Sequence, residues 1–287
     1  MDCIGLFNIC KVPGMSSHEV VNVVRRIVGM KRVGHSGTLD PCACGVLLVC
    51  LGKAARLSDY ISAGSKSYRA EVLFGITTDG GDAEGTILTQ TDAGHLCEDE
   101  VIAALPQFTG AFQQRPPARS AVWINGERSY DLVLRGQAVE MPMRNVNISV
   151  LTPVRFVPGT HPRLLLDITC SRGTFIRSLA YDLGEVLGVG ATLSFLARTA
   201  VSGCRISDAV TLDELAAGDF THWLHSPDIA LEHIPAFILP EEQATYQRGT
   251  PVTVPGVPGL YRIYLESRFL GLGQWEDGVL RNVVNLA

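Results

Sequence analysis

The chain has 287 residues, 46% hydrophobic and 18% charged. That is enough apolar material for one large domain, or a large one with a small partner, and it excludes a disordered or collagen-like chain. The formal net charge is −5, and the longest apolar run, Val46–Leu51, falls far short of the roughly 20 residues a membrane helix needs. Met1-Asp2-Cys3 has no basic region ahead of an apolar stretch, so a soluble, cytoplasmic protein is expected.

Gly5–Cys10 reads as a short strand. Ser16 and Glu19 form a capping-box pair that opens a helix; Val20, Val24, Ile27 and Val28 share its apolar face, and Gly29 stops it. Gly34–Pro41 is a glycine-rich loop, and Val46–Leu51 is expected to be a central strand. Lys66–Phe74 alternates, with Tyr68, Ala70, Val72 and Phe74 on one face, and Glu98–Leu105 reads as a short helix. Residues 113–162, rich in Pro, Gly and Arg, predict long excursions with short strands. Leu164–Cys170 is another strand, leading through Gly173 to a helix opened by Thr174. Phe175, Leu179, Leu183, Val186 and Leu187 line that helix, and Gly188 and Gly190 end it. Residues 206–247 read as an acidic, partly helical connector. Leu260–Leu265, Phe269–Gln274 and Val279–Leu286 are strands of a small β unit, with Asp277-Gly278 as a hairpin turn.

The charges are segregated. Residues 25–69 carry eight Lys or Arg against two acids, and 115–181 carry nine Arg against four. Residues 79–100 hold seven acids and 206–247 eight, with no Lys or Arg in either stretch. Of 24 basic residues 20 are Arg, the side chain suited to bidentate phosphate contacts, and this pattern fits RNA better than the net charge does. The eight cysteines read as free thiols of a reducing compartment. Cys42-Ala43-Cys44 lacks the second pair or the histidines that a zinc site needs, so no metal is implied.

Gly34-His35-Ser36-Gly37-Thr38-Leu39-Asp40-Pro41 is the most unusual stretch. Its glycines permit close backbone approach, and Pro41 holds Asp40 in extended geometry, presenting the carboxylate from a stiff bend. A serine-hydrolase elbow is excluded because Thr38 stands where the second glycine belongs. An EF-hand is excluded at Asp79–Gly85, where the acids are misspaced and the twelfth position is Gln90.

This loop, followed by Gly45-Val46-Leu47 and Leu51-Gly52-Lys53-Ala54, resembles the signature of the TruB-type tRNA pseudouridine-55 synthases. The likeness continues in order through Lys11-Val12-Pro13-Gly14-Met15-Ser16-Ser17 and Lys66-Ser67-Tyr68-Arg69-Ala70. Gly75, Thr78-Asp79, Asp82 and Gly85 follow, then Cys170-Ser171-Arg172-Gly173-Thr174-Phe175-Ile176-Arg177 with Asp182-Leu183-Gly184. It ends with Gly190-Ala191 through Leu196 and Arg198-Thr199, so that it spans roughly residues 4–215. The tail resembles the family's PUA-like RNA-binding appendage more weakly.

The resemblance implies an α+β pseudouridine synthase fold, with a mixed, largely antiparallel central sheet flanked by helices and a small C-terminal β domain. It divides the chain into a catalytic domain, 1–235, and a PUA-like domain, 236–287. It implies isomerisation of a uridine in the TΨC loop of tRNA, by a monomeric enzyme without cofactor, metal or membrane. Asp40 would be the catalytic carboxylate, either as nucleophile or as the base removing the C2′ proton. Either role needs the ionised form, which a neighbouring guanidinium favours, and Arg177 matches the family arginine that pairs with this aspartate. Tyr68 matches the active-site tyrosine, expected to stack on uracil with its hydroxyl available for proton transfer. The uridine has to leave its stack to react, and His35 matches the residue that fills the vacated space. Leu196 and Phe175 match the walls of the base pocket, and Lys11, Gly37 and Thr38 carry over as substrate-binding positions.

The sequence departs from the family pattern in four places. Cys42-Ala43-Cys44 replaces Leu-Ala-Thr, Phe175 replaces a tyrosine, and Ala197 replaces an arginine. Arg119 and Trp123 stand where the family has Tyr and Lys, which alters the RNA contacts expected there. Asp40, Tyr68 and Arg177 are untouched, which favours an active enzyme over the alternative, a module that only binds and helps fold tRNA.

Overall fold

A computed structural model describes residues 3–287; Met1 and Asp2, on which part of the N-terminal reading rests, lie outside the described residues. The chain forms two compact units: the segments up to Gly64 and from Ala200 to Ala287 make one, and Ser65–Thr199 makes the other.

The first unit opens with β1 (Gly5–Lys11), α1 (Ser17–Val28), β2 (Val33–Ser36), β3 (Cys44–Leu51) and α2 (Ser58–Ala63). β1 and β2 both pair antiparallel with β3, at Gly5↔Leu51 to Lys11↔Gly45 and at Val33↔Leu51 to Ser36↔Leu48. Gly34, His35 and Ser36 are therefore strand residues, and the loop predicted from Gly34 begins only after Ser36. Pairing with an apolar strand satisfies their backbone groups, a tertiary effect that local glycine content hides. The apolar run of β3 divides by its period of two. Leu47, Val49 and Leu51 join Phe7, Ile9 and the α1 residues Val20, Val21 and Val24 in one core. Val46, Leu48 and Cys50 face a second core with Leu6, Leu57 and Ile61.

The second unit contains β4 (Lys66–Phe74), β5 (Ile76–Thr78), β6 (Ile87–Gln90), α3 (Glu98–Ala104) and β7 (Gly110–Gln114). After it come β8 (Trp123–Ile124), β9 (Glu127–Arg128), α4 (Ser129–Leu134) and β10 (Arg144–Val157). β11 (Arg163–Cys170), α5 (Ile176–Val186) and β12 (Ala191–Val201) complete it. Its main sheet runs β12-β4-β11-β10-β7, antiparallel in the pairings β4–β11, β11–β10 and β10–β7. Within 113–162, β8 and β9 are short strands as expected, but β10 is 14 residues long where only short strands were expected. Pro153 is accommodated by a register shift between Pro153 and Arg155, since proline cannot donate to a ladder. α5 begins at Ile176 with Phe175 as its N-cap, not at Thr174, whose hydroxyl instead donates to the Ser171 carbonyl at 3.0 Å. Val186, assigned to the apolar stripe, is exposed.

The chain then returns to the first unit through β13 (Cys204–Arg205) and α6 (Leu212–Ala217). It ends in a five-stranded sheet made of β14 (Ala236–Leu239), β15 (Val252–Thr253), β16 (Gly259–Leu265), β17 (Arg268–Glu276) and β18 (Val279–Asn285). Only β14–β16 among its pairings is parallel. Asp277 and Gly278 both have positive φ, 50° and 79°, as a two-residue hairpin turn requires. This sheet has two apolar sides. Leu239, Tyr246, Ile263, Leu270 and Leu280 form a core of its own, whereas Leu272, Val284 and Leu286 join the core that holds Val46, Leu48 and Cys50. The architecture is α+β, with largely antiparallel sheet, helices, and a separate small β sheet at the C-terminal end.

Candidate functional site

The nine residues singled out above fall into two sets, one in each compact unit. In the first unit, the turn carrying Asp40 is fastened from beneath. Lys11 is fully buried, and its ammonium donates to the carbonyls of Val12 at 3.0 Å, Pro41 at 3.0 Å and Ala43 at 2.6 Å. The Ser17 hydroxyl accepts the Leu39 amide at 2.9 Å and lies 3.0 Å from the Leu39 carbonyl. Gly14 donates to the Pro41 carbonyl at 2.9 Å, and Ala43 to the Asp40 carbonyl at 3.1 Å. Backbone groups on both sides of Asp40 are thus tied down. Its own side chain belongs to a half-buried residue, with the buried Leu39 before it and exposed Thr38 before that. Gly37 has φ 88°, where a side chain is strained, so the bend after β2 needs glycine there. His35, half-buried, pairs with Val49 across β2 and β3. Lys11 lies under the turn with no exposed surface, a location that sequence spacing did not reveal.

In the second unit Tyr68 sits on the buried face of β4, 8% exposed, beside Lys66 two residues earlier. Burial, and then nearby Arg198, push the Lys66 ammonium down to about 8. Arg177 stands in the first turn of α5 and is 6% exposed. Its Nη1 donates to the Gly80 carbonyl at 2.8 Å and lies 3.7 Å from Asp82 Oδ2, and its Nη2 donates to the Arg119 carbonyl at 2.9 Å. Phe175 is held by Gln114, whose Oε1 accepts the Phe175 amide at 2.8 Å while its Nε2 donates to the Phe175 carbonyl at 3.1 Å. A side chain from β7 thereby satisfies the N-cap amide, as the glutamate of a capping box usually does. Leu196 lies half-buried on β12.

Arg177 also borders an open cavity of about 690 Å³, whose walls include Asp79, Gly81, Arg115, Tyr181 and Asp182. Burial, and then Glu185, raise the Asp182 carboxyl to about 6. Asp79, Gly80 and Asp82 lie in the motif already quoted from the sequence, but only the fold reveals that they and the Arg119 carbonyl surround the Arg177 guanidinium. Gln114 carries no sequence signal, because its partner lies 61 positions away. Among the described residues no cluster of three or more His, Cys, Asp or Glu could hold a metal ion, and no helix is long and apolar enough to cross a membrane.

Chemically the two sets differ. One presents a carboxylate on a braced turn; the other presents an aromatic ring and a guanidinium, suited to a planar base and to negative charge. Residues 25–176 match the N-terminal domain model of the TruB family pseudouridylate synthases, and residues 177–245 match the C-terminal domain model of tRNA pseudouridylate synthase B. The chain is 42% identical over 288 residues to tRNA pseudouridine synthase B of Acaryochloris marina, covering 99% of each chain. It is 48% identical over 214 residues to the protein of that name from Symbiobacterium thermophilum, covering 75% of this chain and 72% of the relative. In three dimensions it resembles a chain from an H/ACA RNP bound to a substrate RNA containing 2′-deoxyuridine, with TM-score 0.76, 24% identity, and 99% and 85% of the two chains covered. A second likeness is to a Cbf5-Nop10-Gar1 complex, with TM-score 0.73 and 27% identity, covering 94% of this chain and 78% of that one. With its fold, its ordered motifs and near full-length relatives in agreement, the chain belongs to the TruB family of pseudouridylate synthases and is a pseudouridine synthase.

Proposed function

We propose that this enzyme converts a uridine in the TΨC loop of tRNA, at position 55, to pseudouridine, with Asp40 as its catalytic carboxylate. Its relatives in Acaryochloris marina and Symbiobacterium thermophilum carry the name tRNA pseudouridine synthase B, which supports tRNA as the substrate. What carries the assignment of Asp40 is the turn itself, where Lys11 and Ser17 brace the backbone on both sides of one half-buried acid. Catalysis gains when a reacting group is held in place before substrate arrives, because little reorganisation is left for the reaction step.

The uracil is detached from C1′ of the ribose, turned, and rejoined through C5. Asp40 acts either as nucleophile at C1′ or as base at the C2′ proton. Substrate and product contain the same atoms at the same oxidation level, so the reaction needs neither an oxidant nor a group donor, and we assign no cofactor. Tyr68 stacks on the uracil and offers its hydroxyl for proton transfer, and Arg177 is the catalytic arginine we assign beside them. His35 fills the space of the everted nucleotide, Leu196 and Phe175 wall the base, and Gly37 and Thr38 line the approach. Lys11 serves the substrate through the turn it supports. Residues 1–235 take the catalytic role and 236–287 that of a PUA-like RNA-binding domain, in a monomer working in the cytoplasm.

The test is Asp40→Asn, assayed by mapping pseudouridine in an unmodified tRNA transcript. Isomerisation is expected to disappear while tRNA affinity changes less than about threefold, within ~0.7 kcal/mol. Continued turnover at the T-loop uridine would remove Asp40 from the mechanism.

A further inference from the structure

Arg119 is joined to two places at once. Its Nη2 lies 2.7 Å from Asp79 Oδ2, and its carbonyl accepts Arg177 Nη2 at 2.9 Å. The other oxygen of Asp79 accepts the Thr86 amide at 2.8 Å, which fixes the carboxylate from its far side. Gly80, next in the chain to Asp79, supplies the carbonyl that takes Arg177 Nη1 at 2.8 Å. A closed circuit results, running from Arg177 through Gly80 and Asp79 to the Arg119 guanidinium, and through the Arg119 backbone to Arg177 again.

The circuit lies at the root of the excursion between β7 and β10. Beyond Arg119 that excursion bonds to itself: the Ser129 hydroxyl donates to the Ser120 carbonyl at 2.8 Å, and the Tyr130 amide donates to the same carbonyl at 3.0 Å. On its other side, the Ser178 hydroxyl of α5 holds the Arg115 carbonyl at 2.7 Å. Arg119 is thus the residue where a self-contained segment meets the turn that orients Arg177. A tyrosine, the residue of the family pattern at this position, could not make a charge-assisted bond of this kind.

We propose that the Arg119–Asp79 ion pair latches the root of the 115–143 excursion to the Asp79–Gly80 turn, making Arg119 a positioning residue for Arg177. The inference rests on the assignment of Arg177 to the reaction made above. Both side chains are about a third exposed, 36% and 29%, so the latch is modest and weakens with salt.

The experiment compares Arg119→Gln, Arg119→Lys, Asp79→Asn and the Arg119→Gln/Asp79→Asn double variant, with Arg177→Gln in parallel. Each is measured for kcat and KM on an unmodified tRNA transcript and for backbone hydrogen exchange at residues 78–86 and 116–121. Arg119→Gln and Asp79→Asn are each expected to lower kcat about two- to fivefold, the range an exposed ion pair can hold, with a smaller change in KM. Exchange should quicken in both segments for either variant. The double variant should be no worse than the more affected single one, and Arg119→Lys should recover most of the loss. Parental kcat and exchange in Arg119→Gln, with Arg177→Gln inactive, would overturn the latch alone, as would losses that multiply in the double variant. Parental turnover in Arg177→Gln would instead overturn the role given to Arg177, and with it the purpose assigned to the latch.

Discussion

Ser17 closes both backbone groups of Leu39, the residue before Asp40, with one hydroxyl. Removing it leaves a buried amide and carbonyl without that partner, which costs about 1–3 kcal/mol. Ser17→Ala is therefore expected to lower the urea midpoint and, under the role proposed for Asp40, to reduce kcat more than KM, because the loosened turn holds the carboxylate less firmly. Equal kcat in parent and variant would show that the brace does not matter to catalysis. Lys11 illustrates what a sequence conceals at this scale. Its motif marks it as important, but a lysine is ordinarily exposed, and only the fold puts its ammonium against carbonyls 30 and 32 positions further on. The stiff turn around Asp40 was legible because glycine and proline constrain the backbone locally, in ways that need no distant partner.

At the scale of elements, local signals were readable and distant ones were not. α1 is bounded as read: Ser16 and Glu19 make the reciprocal capping bonds, and Gly29 takes the left-handed conformation, with φ 65°. The length of β10 was hidden because most of its residues are at least partly exposed, so the alternation that marks a one-sided strand is weak. The start of α5 depends on Gln114 of another strand. α5 also carries a pH-sensitive load. The Asp182 carboxyl rises from its ordinary 3.8 to about 6, through burial first and Glu185 second. Between those values the folded form keeps a proton that the unfolded chain has released, so stability falls as pH rises through the window, and the penalty is complete above it. Asp182→Asn is expected to gain on the order of 2 kcal/mol over the parent at pH 7, partial exposure allowed for, and to lose that advantage near pH 3.5. Urea titrations at the two pH values check this; an advantage equal at both would refute it.

For the molecule as a whole, the C-terminal strands were legible as a small β unit because Asp277-Gly278 and the flanking alternation are local. Their second role was not. Leu272, Val284 and Leu286 are at most 7% exposed and pack in the core that contains Leu6, Val46 and Leu48. At about 1.5–3 kcal/mol for each large apolar side chain buried, these three contribute on the order of 5 kcal/mol. Truncation after residue 235 is thus expected to give a chain that aggregates, or melts well below the parent in a thermal scan. A soluble truncated protein with the parental midpoint would contradict this.

The last strands therefore serve as flooring for the face of β3 that carries Val46, Leu48 and Cys50. A deletion that abolished modification would confuse lost grip with a collapsed foundation. Single changes on the outward side, at Ile238 or Val257, which are 69% and 67% exposed, leave that foundation standing and separate the two.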